Sequence, residues 1–285
     1  MKEKSKLFYT PGSHVAIDES TISFKGRIVF RVYNPMKPTK FGIKVFVVSD
    51  SENGYVYDYI PYYGSGNIIP NTSLLKTTQI VKVLSESVVL KDPQAPATGL
   101  HVYTDRYYTS PELANELLKI GCYLTGTVMT NRTGMPSGLK AKLKKMKKGD
   151  IYSLRKGSTL LVSWKDKRTV HMLSTHGKGS RRHMKNVQSR WPNKPPVAKP
   201  DLVLDYIKYM GGVDRSDHFI SSYQFMRRTK KWYRNIFFWL LEVAIIDSYL
   251  LHKLIQEQKG KKPITHIQFR KKLVRALVQE KAANR

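Results

Sequence analysis

Residues 100–128 read L-H-V-Y-T-D-R-Y-Y-T-S-P-E-L-A-N-E-L-L-K-I-G-C-Y-L-T-G-T-V, and this stretch decides the fold class. Residues 100–104 form a short apolar strand that ends at Asp105. Ser110 can cap a helix, Pro111 suits its first turn, and Glu112 favours the positive end of the helix dipole. Leu113, Leu117 and Leu118 give that helix an apolar face, Gly121 ends it, and residues 122–128 read as a second strand. Strand, helix and strand in this order need a crossover connection, so part of the sheet is parallel.

Upstream, residues 14–17 alternate loosely, and residues 41–48 are nearly continuous apolar, as a centrally buried strand is. The turn signal Glu52-Asn53-Gly54 separates that strand from residues 54–63, rich in Tyr, Val and Ile, which predicts an antiparallel hairpin. Residues 74–89 carry Leu74, Ile80, Val81 and Leu84 at helical spacing. From residue 130 to about 200 the character changes. Six lysines fall between residues 140 and 148, short strand-like pieces follow at 160–164 and 169–173, and a Pro-rich stretch closes the region. Residues 203–210 and then Gly211-Gly212 lead into a helical final third, where Pro263 separates the apolar run 236–254 from a terminal basic amphipathic helix. Glu242 and Asp247 interrupt the apolar run 236–254, so it reads as a buried helix and not a membrane span.

Composition narrows the partners. Of 285 residues, 41% are hydrophobic, enough for a substantial core, which excludes wholesale disorder. Lys and Arg number 50 against 21 Asp and Glu, a net charge of +29. A compact body with that field repels itself unless a polyanion neutralises it. Nucleic acid is the commonest such partner, with an anionic membrane surface as the rival. The single cysteine, Cys122, rules out an internal disulfide or a cysteine-rich zinc module within this chain and reads as a core residue. Of the eight histidines, His101, His171, His176, His183 and His218 show no paired spacing with cysteine and read as core or surface residues. The first ten residues hold no apolar stretch of signal-peptide length, and a reducing compartment, the nucleus first, is the expected location.

In so basic a chain, an Asp beside a strand end draws attention. Asp18 follows V-A-I, Asp105 follows L-H-V-Y-T, and Asp214 follows Gly211-Gly212-Val213, where the backbone can turn tightly into a helix. Carboxylates converging from strand ends and a helix can bind two hard divalent cations about 3.5–4 Å apart, the arrangement used in phosphodiester cleavage. Spacing alone leaves alternatives open. A lone Asp at a strand end often serves a turn. Glu19 could replace Asp18 as a ligand, and Asp217, one turn beyond Asp214, could assist or substitute for it.

The words around these residues resemble the piggyBac transposase family. The likeness runs through D-E-S-T-I-S-F-K-G-R (18–27), F-R-V-Y-N-P-M-K-P-T-K-F-G-I-K (30–44) and D-S-E-N-G-Y-V (50–56). It continues through T-D-R-Y-Y-T-S (104–110), G-T-V-M-T-N-R (126–132), L-S-T-H-G (173–177) and Y-M-G-G-V-D-R-S-D (209–217). The blocks keep the family's order over roughly residues 14–255.

This resemblance implies an α/β fold: an RNase H-like mixed sheet flanked by helices, with a β-containing insertion domain. The core spans 1–130 and 201–258, the basic insertion 131–200, and a basic helix or tail 259–285. It implies a catalytic trio of Asp18, Asp105 and Asp214, with Asp217 in support at the metal, and two Mg²⁺ ions for which Mn²⁺ can substitute. The reaction implied is cut-and-paste DNA transposition. One strand is hydrolysed at the transposon end, the freed 3′-hydroxyl forms a hairpin, and the reopened end joins target DNA at TTAA. The implied partners are double-stranded DNA and a second copy of the chain, with no membrane and no small-molecule substrate.

Two departures stand out: Arg106 replaces the Asn common after the second Asp, and the family's N-terminal region and C-terminal cysteine-rich module have no counterpart. A catalytic-core fragment and a shortened, domesticated relative are both compatible with this. A domesticated DNA-binding or chromatin protein is accordingly the competing function; a basic structural protein of RNA complexes would leave the strand-end acids unexplained. The expected DNA contacts are Lys37, Lys40 and Lys44, then Arg181, Arg182 and Lys185, and the run R-R-T-K-K-W-Y-R with Arg227, Arg228, Lys230, Lys231, Trp232 and Arg234. Trp232 could equally turn into the core.

Overall fold

The computed structural model describes residues 2–35, 37, 39–64, 73–89, 99–177, 184–188 and 195–283. In chain order the elements are α1 (Lys2–Phe8), β1 (His14–Ser23), β2 (Val32–Tyr33), β3 (Phe41–Asp50), β4 (Val56–Pro61) and α2 (Lys76–Val89). Next come β5 (His101–Thr104), α3 (Pro111–Lys119), β6 (Tyr123–Thr127), α4 (Leu139–Lys144), β7 (Ile151–Lys156), β8 (Thr159–Lys165) and β9 (Thr169–Ser174). The chain ends with β10 (Met184–Val187), β11 (Val197–Pro200), α5 (Asp201–Tyr209), α6 (Gly212–Ser222), α7 (Trp232–Gln258) and α8 (His266–Ala283).

Nine strands form one mixed sheet in the order β2-β3-β1-β5-β6-β9-β8-β7, with β4 also pairing to β3. The hairpin predicted around residues 50–54 is the antiparallel β3–β4 pair, and Gly54 supplies the positive φ of 85° at its turn. β5 and β6 run parallel to each other and β5 runs parallel to β1, as the strand–helix–strand reading requires. The Ser110 hydroxyl accepts from the Leu113 N–H at 3.0 Å and caps α3. Beyond β6 the pairing reverses: β9, β8 and β7 extend the same sheet antiparallel. A separate two-stranded sheet, β10–β11, lies in the basic stretch.

Alternation along the strands sorts the core into layers. Val15, Ile17, Phe46 and Val48 face α2 and α3, packing against Leu84, Leu113 and Leu117. Their neighbours Ile22, Val45 and Val47 face the other way, against Val213, Trp239, Val243 and Ile246 of α6 and α7. A third cluster joins Leu202 and Val203 of α5 to Leu160, Val162 and Met172. Cys122 is fully buried, as read. Among the described residues no helix is long and apolar enough to cross a membrane. The interruptions in α7 are both buried: Asp247 takes the Val56 N–H at 3.0 Å, and Glu242 takes the Phe225 N–H at 3.0 Å and pairs with Arg270 of α8.

Candidate active site

Sheet register places the first two aspartates. The last parallel pair between β1 and β5 is Ile17 with Thr104, so Asp18 and Asp105 occupy the next position on neighbouring strands. Neighbouring strands lie about 4.8 Å apart, which sets these two backbones side by side at the carboxyl end of the parallel pair. Asp18 shares its face of β1 with Ala16 and Ser20. Across that face runs α6, anchored at its start and at its middle. At its start, a Cβ on Gly212 would come within 2.7 Å of Ser49 Oγ, 2.9 Å of the Asp50 carbonyl and 3.2 Å of Ala16 Cβ. Further along, the Ser20 hydroxyl donates to Asp217 Oδ1 at 2.6 Å. Asp214 lies between these anchors on the helix, as Asp18 lies between Ala16 and Ser20 on the strand. Asp18 does not close its strand as the sequence suggested: β1 runs on to Ser23 because it stays paired with β3, so Asp18 is mid-strand while Asp105 follows the end of β5. The helix therefore carries Asp214 towards Asp18 and the end of β5.

Gly212 does not work as the sequence suggested. Neither Gly211 nor Gly212 has a positive φ; Gly212 serves close approach, letting the helix start sit on β1 and β3. Arg215 adds a second tie by donating to the carbonyls of Ser51 (2.7 Å) and Glu52 in the β3–β4 turn.

The carboxylates are short of counter-charge. Burial, with the charges of Glu19 and Asp105 adding to it, pushes Asp18 up to about 7, against the Glu19 N–H (2.8 Å) and Lys37. Asp105 is raised in the same way, by burial and then Glu19, although its Oδ1 accepts from the Tyr107 N–H at 2.8 Å. Asp217 rises to about 6, through burial and the charge of Asp214, opposed by the Ser20 hydroxyl and Lys37. Asp214 itself is exposed.

Glu19 points to the opposite face, where it accepts from the Tyr108 hydroxyl at 2.8 Å and lies 3.7 Å from Lys44. Two residues of this neighbourhood escaped the sequence reading. Ser20 was findable by the two-residue strand period from Asp18. Tyr206 of α5 was not: burial raises its hydroxyl to about 12, and the charges of Asp105, Asp18 and Asp214 all add to that.

Among the described residues, no three His, Cys, Asp or Glu side chains stand close enough together to ligate one ion. The donor set nevertheless fits magnesium in kind. It consists of carboxylate oxygens, two of them on adjacent strands and raised by burial and mutual repulsion, the condition a hard cation relieves.

The basic candidates fall in different places. Lys37 is half-buried and donates from Nζ to the Glu19 carbonyl at 2.8 Å, beside the carboxylates. Lys44 lies over the rings of Phe46 and Tyr107, and Lys40 is exposed. Lys185 lies 3.5 Å from Asp201. Arg181 and Arg182 lie outside the described residues. Arg227, Arg228, Lys230, Lys231 and Arg234 are exposed around the start of α7, while Trp232 packs edge-on against Phe30 and Tyr63. His101 is buried and bonded to Thr125, and His218 is exposed on α6.

A mixed sheet in this order, with aspartates level on two adjacent parallel strands and a helix bringing a third over them, defines an RNase H-like protein of the DDE transposase class. The family model described as Transposase IS4 matches residues 1–249, and the chain belongs to that family, in its piggyBac-type branch. It is 26% identical over 280 residues to the human PiggyBac transposable element-derived protein 3, covering 96% of this chain and 45% of the relative. It is 29% identical over 223 residues to the human PiggyBac transposable element-derived protein 2, covering 76% and 37% respectively. A solved piggyBac transposase, imaged by cryo-electron microscopy in a synaptic complex with hairpin DNA, superposes with a TM-score of 0.80 at 28% identity. That match covers 95% of this chain and 53% of the solved one. The chain thus spans about half the length, or less, of the relatives it matches.

Proposed function

We propose that this chain is the catalytic region of a DNA transposase that cleaves and rejoins phosphodiester bonds in cut-and-paste transposition at TTAA sites. The observation that carries the reading is the register: Asp18 and Asp105 fall at the same level on adjacent parallel strands, under the helix that bears Asp214. Asp18, Asp105 and Asp214 would hold two Mg²⁺ ions, with Mn²⁺ as a substitute, and Asp217 in support. When bound, such ions activate the attacking oxygen and stabilise charge on the leaving one.

The chain's own residues do the rest. β1 and β5 fix two carboxylates rigidly, the Ser20–Asp217 bond and Gly212 seat α6 over them, and Arg215 ties that helix to the β3–β4 turn. The exposed cations at 227–234, with Lys40 and Lys185, would follow the DNA backbone, giving an affinity that falls as salt rises. In this reading 1–130 and 201–258 make the core and 131–200 a basic insertion growing from the sheet edge through the β9–β6 pair. The region 259–285 contains α8. A nuclear location and a homodimer that holds two DNA ends together belong to the same proposal.

The test is cleavage of a terminal-repeat duplex ending in TTAA, with Mg²⁺, by wild type and Asp105→Ala. Loss of about 10²-fold or more on substitution is expected, the scale of one catalytic group. Equal, metal-independent rates would instead favour a domesticated DNA-binding protein, a reading that the names of the human relatives, transposable element-derived proteins, keep in play.

A further inference from the structure

The block G-T-V-M-T-N-R, residues 126–132, leaves the sheet at β6 and borders the turn that carries Asp105. At its start, a Cβ on Gly126 would overlap Thr109 Oγ1 and come within 2.5 Å of the Thr104 carbonyl, so a bare backbone lets the turn settle on β6. The Thr109 hydroxyl in turn donates to the Asp105 carbonyl at 2.7 Å. From the side of β1, the Tyr108 hydroxyl ties the same turn to Glu19. At the end of the block, Arg132 Nη2 donates to the Arg106 carbonyl at 3.0 Å and to the Tyr107 carbonyl.

The first of those two bonds reaches the carboxylate. The Arg106 carbonyl and the Tyr107 N–H belong to one peptide unit, and that N–H donates to Asp105 Oδ1 at 2.8 Å. A peptide unit is planar and stiff, so a guanidinium that grips its oxygen also fixes where its N–H points. The side chains of Arg106 and Tyr107 are exposed and give these peptides little packing of their own. Arg132 is half-buried, and its Nε is buried with no hydrogen-bond partner among the described residues. The head group is thus held against the two carbonyls although one of its donors goes unmet.

We propose that Arg132 is a positioning residue for the reaction: it clamps the Arg106–Tyr107 peptide, and through that peptide's N–H it holds the Asp105 carboxylate in a fixed orientation at the end of β5. The idea rests on the reading of Asp105 as a catalytic ligand. Lysine at this position keeps the charge but gives up the planar, preorganised fork. Charge and clamp can therefore be separated.

The experiment uses the full chain and compares wild type, Arg132→Gln, Arg132→Lys and, as a control for an exposed cation, Lys156→Met. Three quantities are measured: hydrogen exchange across residues 105–110 in EDTA, Mn²⁺ affinity by calorimetry, and kcat and KM for cleavage of the terminal-repeat duplex. Arg132→Gln is expected to exchange faster in that segment alone and to bind Mn²⁺ about tenfold more weakly. Its kcat should fall by up to about 10²-fold, the scale of a small misplacement, with KM close to that of wild type. Arg132→Lys should keep the wild-type KM and still lose most of kcat, and Lys156→Met should match wild type throughout. A raised KM with unchanged kcat in Arg132→Gln, restored by Arg132→Lys, makes the residue a phosphate contact and overturns the proposal. Exchange unchanged at 105–110, or raised throughout the sheet with a lower melting temperature, overturns it as well. Neither Mn²⁺ uptake nor cleavage by wild type overturns the metal-dependent reading and this proposal with it, a result distinct from failure of the clamp alone.

Discussion

Two groups of acids in this molecule are treated in opposite ways. At the α7–α8 contact, Glu242 is fully buried with both oxygens satisfied: one takes the Phe225 N–H, the other pairs with Arg270. Arg270 also donates to the Tyr223 carbonyl at 2.9 Å and to His266 Nε2 at 2.8 Å. That arrangement is closed. In the middle of β1, just past the end of β5 and on α6, Asp18, Asp105 and Asp217 are raised by burial first, opposed by peptide N–H groups, a hydroxyl, Lys37 and Arg106. The first site fastens a helix. The second stores electrostatic strain that a cation can release, so stability and function pull apart there.

The sharpest way to break this contrast is Arg270→Ala. It leaves a buried charge on Glu242 unpaired, and urea denaturation should show a loss of about 3–5 kcal/mol. A smaller loss, about 1–3 kcal/mol, is expected for Gly212→Ala, whose methyl must displace Ser49 and the Asp50 backbone. That variant should also lose DNA cleavage, because α6 lifts from β1, while the α7–α8 contact stays intact. Asp18→Asn should move stability the other way. Removing a charge that the fold holds at a cost gains about 0.5–2 kcal/mol in EDTA at pH 8, the scale seen when such a cost is relieved, while cleavage is lost. If Asp18→Asn and Arg270→Ala both destabilise by similar amounts, the two sites are of one kind.

The smallest effect is in pH. His266 is buried, stacked on Tyr249, and lowered to about 4 by burial and then by Arg270, whose Nε–H it accepts. The unfolded chain binds a proton on this residue below its ordinary value of 6.5, and the folded chain does so only near 4. Stability is therefore lost as pH falls through that window and levels off below it. A pH series of melting curves should show this slope reduced in His266→Gln.

The sequence alone fixed a good deal. The order of strands and helices through residues 100–128 required a parallel pair, the Asn-Gly turn required a hairpin, and both follow from local geometry that a few neighbouring residues set. Asp18, Asp105 and Asp214 stood out because acids are scarce, 21 against 50 Lys and Arg, although Asp18 read as a strand end and lies in the middle of β1. Other features had no local signature. Gly212 was read as a turn and is a point of close contact, since only the packed partner reveals what a missing Cβ makes room for. Glu242 was legible as an interruption, but its ion pair with a residue 28 positions on needed the folded chain. Lys37 was legible as one of the lysines of its block, but its bond to the Glu19 carbonyl needed the folded chain. Periodicity encodes what a residue does to its own strand or helix; contacts between elements distant in sequence depend on how the layers close, and only the tertiary structure decides them.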